Sequence, residues 1–326
     1  MHYKHIEKNG LCFTKVSNDL GMVVYFCSLG ASIYQININR YVLTRNIYDL
    51  ENFKDPKMYY GKTIGRISNR FKGHALKLNG EVYNLSPNEG DNVLHGGIHG
   101  LSCKVFDVEV NKEDEYIDVI YSTKLYQDED EFPGDLDVKV TYRIHQKKNE
   151  IDVSYLASAN KDTVISLTNH TYFTLASRSL KGLSLKINSN RYLSTDENLL
   201  AKEETEVTEA LDFSNGKEIL KDIDSDELHS DRLNGYDHFF YFNNRNINEK
   251  NVTLYNDKFE LDIYTNFEGV QIYTSGHKCS YDLYPYFDKE FDSVAIEPSD
   301  SFKNLRLLKE GTTYKRKIKY IFSSKE

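Results

Sequence analysis

From Leu136 to Ile144 every second residue is apolar or aromatic (Leu136, Val138, Val140, Tyr142, Ile144), with Asp, Lys, Thr and Arg in between. A period of two sends alternate side chains to opposite faces of an extended chain, so this segment reads as a strand with one buried face. A polar turn over 146–150 follows, and the alternation resumes at Ile151, Val153 and Tyr155 as the returning arm of a hairpin. Leu76 and Leu78 lead through Asn79-Gly80, the strongest short hairpin signal, into Val82, Tyr83, Asn84 and Leu85. Residues 105–110 pair with 117–121 across the acidic turn 111–115, and residues 252–254 pair with Phe259, Leu261 and Ile263. Residues 312–322 read as a closing strand.

Helical periodicity is scarce. Only residues 217–228 resemble a helix, and without a sustained apolar face they support no more than a turn or two. Five prolines, the lack of a Gly/Ser-rich linker and the lack of a short repeat leave nothing to mark a boundary, so 1–326 is expected to form a single domain. With 39% hydrophobic and 13% aromatic residues, the chain has the material for a core. So many strands cannot stay in one flat sheet. The expected fold is all-β, a large antiparallel β-sandwich.

Charge narrows the partners. Against 41 Lys and Arg stand 50 Asp and Glu, a formal charge of −9, and no dense basic run interleaved with aromatics offsets it, so nucleic acid is not an expected partner. The longest apolar stretch, residues 21–32, falls short of the roughly 18–20 residues that cross a bilayer. The polar N-terminal run MHYKHIEKNGL lacks the apolar segment of an export signal, and a cytoplasmic protein without membrane contact is expected. Cys12, Cys27, Cys103 and Cys279 are isolated in sequence and should remain thiols. The acidic surface and lack of an obvious apolar patch fit a monomer or a weak homodimer.

Polar residues suited to chemistry gather in four places. Residues 61–100 hold Arg66, Asn69, Arg70, His95 and His99 among glycines, where a backbone bends or lets a ligand approach. A metal site at His95-x-x-x-His99 is disfavoured, because Gly96, Gly97 and Gly100 oppose the helix that would bring both rings to one face. In 164–176 Asn169 and His170 interrupt an apolar run, and in 235–239 Asp237 sits beside aromatic strand residues. In 293–300 Glu297 follows Val294-Ala295-Ile296, and a carboxylate at the end of a buried strand costs free energy unless paired or put to use.

The order of these segments carries more than any one of them. G-R-x-x-N-R (65–70), L-H-G-G (94–97), F-P-G-D-L (132–136), N-H-T-Y-F (169–173), Y-D-H-F (236–239), G-V-Q-I-Y-T (269–274) and the strand-end Glu297 together resemble the aldose 1-epimerases, or galactose mutarotases, over almost the whole chain. The resemblance implies a galactose mutarotase-like sandwich and an isomerase that interconverts α and β anomers of a free aldohexose of the galactose or glucose type, with no cofactor and no metal. It implies Glu297 as general base on the C1 hydroxyl and His170 as general acid on the ring oxygen. Asn69, Arg70, His95, Asp237 and Gln271 match the positions that hold sugar hydroxyls. A carboxylate beside His170 is expected to raise its share of imidazolium.

The chain departs from the family pattern at Pro298, directly after Glu297, and at Ser275-Gly276-His277, Thr174 and Val105-Phe106. Two alternatives follow from these departures: a sugar-binding sandwich without catalysis, and an epimerase of the same fold acting on a hexose phosphate. The second needs cations near the sugar's C6, for which the sequence offers Arg66 and Lys62.

Overall fold

The computed structural model describes residues 1–277, 279, 281–284 and 290–325. Its strands follow the alternation. Leu136–His145 and Glu150–Ala159 pair antiparallel with Ile144 opposite Ile151, and the apolar positions of the first arm are buried at every second residue. Asn79 (φ 50°) and Gly80 (φ 82°) both adopt left-handed backbone and join Ala75–Leu78 to Glu81–Asn84, the two-residue turn whose twist matches that of its strands. Asn9-Gly10 makes the same turn between His2–Lys8 and Leu11–Ser17.

Among the described residues, the largest sheet has nine strands. Asp107–Lys112, Tyr116–Leu125, Leu136–His145, Glu150–Ala159 and Tyr314–Ser324 lie side by side, and Phe259–Thr265, Lys250–Tyr255, Ser184–Ile187 and Lys217–Glu218 continue the order. An eight-stranded sheet runs Ala201–Glu206, Arg191–Thr195, Asp237–Tyr241, Gly269–Thr274, Val294–Ser299, Tyr172–Phe173, Thr44–Ile47 and Leu283–Tyr284. A five-stranded N-terminal sheet precedes both in sequence. One apolar cluster joins them: Val140 and Tyr155 of the first, Phe240, Ile272 and Ile296 of the second, and Val24 and Ile36 of the third are all buried in it. Two faces pressed on a shared core make the expected antiparallel sandwich.

Residues 217–228 form a two-residue strand and a single 3₁₀ turn, Asp226–Leu228, in keeping with the lack of an apolar face. Pro298 does not break its strand. It lies next to the end of Val294–Ser299, opposite Val270, and its carbonyl accepts a 2.7 Å hydrogen bond from the Thr168 hydroxyl. No helix among the described residues is long and apolar enough to cross a membrane.

Candidate active site

Strand register assembles the floor of the site. Gln271 lies directly opposite Glu297, and Tyr273 lies opposite both Asp237 and Ala295. Residues opposite each other or two apart share a face, so Asp237, Gln271, Tyr273 and Glu297 all project from one side of the eight-stranded sheet. The intervening Phe240, Val270, Ile272 and Ile296 turn into the core. Tyr172 is opposite Ala295 and joins the first face. His170 follows the two-residue strand Thr168–Asn169; its backbone N–H donates to the Lys62 carbonyl (2.9 Å), and its carbonyl accepts from Gly61 (2.8 Å).

The loops supply the walls. Asn69 (φ 62°) and His95 (φ 54°) are both held in left-handed backbone, and the Asn69 N–H donates to His95 Nδ1 at 3.1 Å. Asn69 Nδ2 donates to Gln271 Oε1 (2.8 Å), Gln271 Nε2 donates to Asp237 Oδ1 (2.6 Å), and Arg70 Nη1 donates to Asp237 Oδ2 (3.3 Å). Residues 69 and 70 thus join Asp237 and Gln271, far away in sequence, in one chain of hydrogen bonds. Together with His95, His170 and Glu297 they line a cavity of about 510 Å³. The seven residues to which the family resemblance gave roles are all in its wall.

His170 Nε2 stands 3.2 Å from Glu297 Oε1, and the residues are only 4% and 2% exposed. The imidazole is stacked between Tyr172 (4.9 Å between centroids) and Tyr59 (5.9 Å), with the His95 ring edge-on at 5.3 Å. Its Nδ1 is buried and has no hydrogen-bond partner. Burial pushes the His170 pKa down to about 4, and burial, aided by the charge of Asp237 and opposed by Arg70, holds the Glu297 carboxyl well above its usual range. Both shifts favour the uncharged forms. The expectation that a neighbouring carboxylate raises the share of imidazolium is corrected here: both groups are almost wholly buried, and desolvation of the charged forms outweighs the attraction.

The other candidates drawn from the sequence lie elsewhere. Arg66 is fully buried, donating from Nε and Nη2 to Asp130 (2.7 and 2.8 Å) and from Nη1 to the Pro133 carbonyl and the Thr163 hydroxyl. Lys62 is also fully buried, its ammonium over the Phe53 ring at 4.7 Å. Neither lines the cavity, so the cations suggested for a hexose phosphate are not in place; His99 is exposed and also outside it. Sequence reasoning missed Glu89, Tyr59 and Tyr172 in the cavity wall. Tyr172 belongs to the N-H-T-Y-F segment and was open to discovery there, whereas nothing local distinguishes Tyr59 from the other 24 tyrosines. The described residues hold one cluster of metal-ligand type, His145, Glu150 and Asp152, at the turn of the hairpin over 136–159. Lys319 stands 3.2 Å from Glu150 and already provides countercharge.

A family model described as aldose 1-epimerase matches residues 14–321. The chain belongs to the aldose 1-epimerase family. It is therefore an isomerase acting on sugars, and the fold and cavity described above are those of this family member. The aldose 1-epimerase of Haemophilus influenzae is 29% identical over 276 residues, 80% of this chain and 78% of that protein. The aldose 1-epimerase of Escherichia coli is 28% identical over 296 residues, 86% of this chain and 83% of that protein. A crystal structure of galactose 1-epimerase from Lactobacillus acidophilus is similar over 100% of this chain and 99% of its own, with a TM-score of 0.86 at 25% identity.

Proposed function

We propose that this epimerase interconverts the α and β anomers of a free aldohexose of the galactose or glucose type, with Glu297 and His170 as its acid–base pair. The observation that carries the assignment is the buried 3.2 Å contact between the two groups in the wall that also holds Asn69, Arg70, Asp237 and Gln271. Glu297 takes the proton of the C1 hydroxyl while His170 delivers one to the ring oxygen. The C1–O5 bond breaks, leaving the open aldehyde with a protonated Glu297 and a neutral His170. Rotation about C1–C2 presents the other carbonyl face, and reclosure returns both protons. Burial favours the uncharged pair, so the reactive carboxylate and imidazolium arise by transfer of the Glu297 proton to His170 across the 3.2 Å contact, and ring opening returns the pair to its uncharged form.

Polyhydroxylated pyranose chemistry suits the rest of the wall. Asp237 and the Arg70 guanidinium make charge-assisted hydrogen bonds to hydroxyls, and the faces of Tyr59 and Tyr172 flank the reacting imidazole. Polarimetry on freshly dissolved α-D-glucose and α-D-galactose tests the reading. Wild type should accelerate the approach to equilibrium, and Glu297→Gln should lose roughly 10²–10⁴ of the rate, the usual contribution of general acid–base assistance. A Glu297→Gln variant with full activity would sink the assignment.

A second reading rests on Lys57 and Arg232, exposed basic residues at the edge of the same cavity that form no ion pair among the described residues. They offer a hexose phosphate the cations that Arg66 and Lys62 do not. Inhibition of galactose mutarotation by glucose 6-phosphate at concentrations where glucose has no effect would favour this reading, and equal competition would count against it.

A further inference from the structure

Arg70 is held by two carboxylates, and only one of them belongs to the sugar-binding set derived above. Nε donates to Glu89 Oε2 at 2.8 Å and Nη2 to Glu89 Oε1 at 3.0 Å, the bidentate geometry that fixes both the position and the plane of a guanidinium. Asp237 receives a single, longer bond of 3.3 Å from Nη1. Of the five guanidinium N–H groups, these contacts use three and leave two for hydroxyls in the cavity that Arg70 lines.

The loop carrying Glu89 is itself fixed from both sides. Glu89 and Asn92 exchange backbone hydrogen bonds (3.2 and 3.0 Å), closing a two-residue turn with Gly90 at φ +57°. The Asn88 amide accepts from the Leu94 N–H (2.7 Å) and donates to the Leu94 carbonyl (3.0 Å). Asn92 Oδ1 accepts the Gly73 N–H at 3.0 Å. This bracing holds the Glu89 carboxylate where it meets Arg70, at the edge of the cavity.

We propose that Glu89 is a positioning residue for sugar binding: it orients Arg70 so that the two remaining N–H groups meet substrate hydroxyls, and it takes no part in the proton transfers. The inference rests on the reading of the cavity as an aldose 1-epimerase site. Without Glu89, Asp237 alone holds Arg70, through one nitrogen, and the guanidinium is free to turn about that bond. The loss falls on binding, because the hydroxyls that Arg70 holds are the same before and after C1–O5 cleavage.

A double-mutant cycle decides the matter. Glu89→Gln should raise KM for galactose about tenfold, the weight of one charge-assisted hydrogen bond, with kcat little changed. Glu89→Asp keeps the charge and should recover part of the loss. In an Arg70→Ala background, Glu89→Gln should have no further effect on KM. Equal effects of Glu89→Gln in both backgrounds, or a wild-type KM in the single variant, would overturn the proposal. Thermal unfolding of each variant separates loss of structure from loss of binding; if Glu89→Gln does not fold, Glu89→Asp carries the same comparison. If wild type binds galactose in calorimetry without speeding mutarotation, the reading of the reaction fails, and dissociation constants through the same cycle still decide the role of Glu89. Absence of galactose binding by wild type would overturn both.

Discussion

Arg66 and Arg70 stand four residues apart in the chain, and their surroundings give them opposite work. Arg66 spends four hydrogen bonds inside the protein and never reaches the cavity, whereas Arg70 lines it and shares its charge with Glu89 and Asp237. Burial works against the Arg70 charge, yet the two carboxylates carry its pKa above the ordinary value. For Arg66 burial prevails and lowers it, with Asp130 opposing. Removing one partner of a buried ion pair leaves the other uncompensated, so Asp130→Ala should cost about 3–5 kcal/mol in denaturant unfolding. A loss below about 1 kcal/mol, the usual worth of an exposed pair, would show that Arg66 finds water. The G-R-x-x-N-R motif contains both arginines and cannot say which one is structural, because that depends on Asp130, 64 positions from Arg66.

At the scale of elements, the site depends on how closely two loops approach. Gly96, at φ +84°, passes so near the 65–66 peptide that a Cβ would lie 2.1 Å from the Gly65 carbonyl oxygen and 2.8 Å from the Arg66 nitrogen. Both contacts are with backbone, which cannot swing aside. Gly96→Ala should therefore destabilise by roughly 1–3 kcal/mol from overpacking, in addition to the left-handed backbone, and should displace the neighbouring His95. Gly80, at φ +82° with nothing within 4 Å of a Cβ, is the control: Gly80→Ala should cost only the roughly 1–2 kcal/mol of a left-handed residue. Urea unfolding of the two variants compares them, and equal costs would mean that the Gly96 loop relaxes. Asn79-Gly80 was legible because a two-residue turn is a local event. The approach of Gly96 to Gly65 was not, since each glycine reads on its own as an ordinary turn residue.

Over the whole molecule, burial sets the response to acid. Burial pushes His170 and His238 down to about 4, and burial, with His170 and Arg70 nearby, lowers His95 well below the ordinary 6.5. As pH falls from about 6.5 toward 4, the unfolded chain binds protons at all three and the fold does not, so their stability contribution, complete above 6.5, is progressively lost. Glu297 acts in the opposite sense, because its raised pKa keeps a proton on the folded chain that the unfolded chain releases. Asp130, also raised by burial, acts in the same sense as Glu297, and three histidines outweigh two carboxyls. The melting temperature and the unfolding free energy should both fall between pH 6.5 and 4.5, and His238→Gln should make the free-energy slope shallower by up to about 1.4 kcal/mol per pH unit. A pH-independent midpoint over that range would contradict the burial of these rings. The sequence by itself determined the antiparallel strands, their hairpins and the family, because alternation and turn chemistry act between near neighbours and the family motifs keep their order along the chain. Only the tertiary structure decided that Arg66 is structural, that Glu89 holds Arg70 and that the His170–Glu297 pair is driven toward its uncharged form. Those outcomes depend on exclusion of water and on partners as far apart as His170 and Glu297, 127 positions along the chain, and no local pattern encodes them.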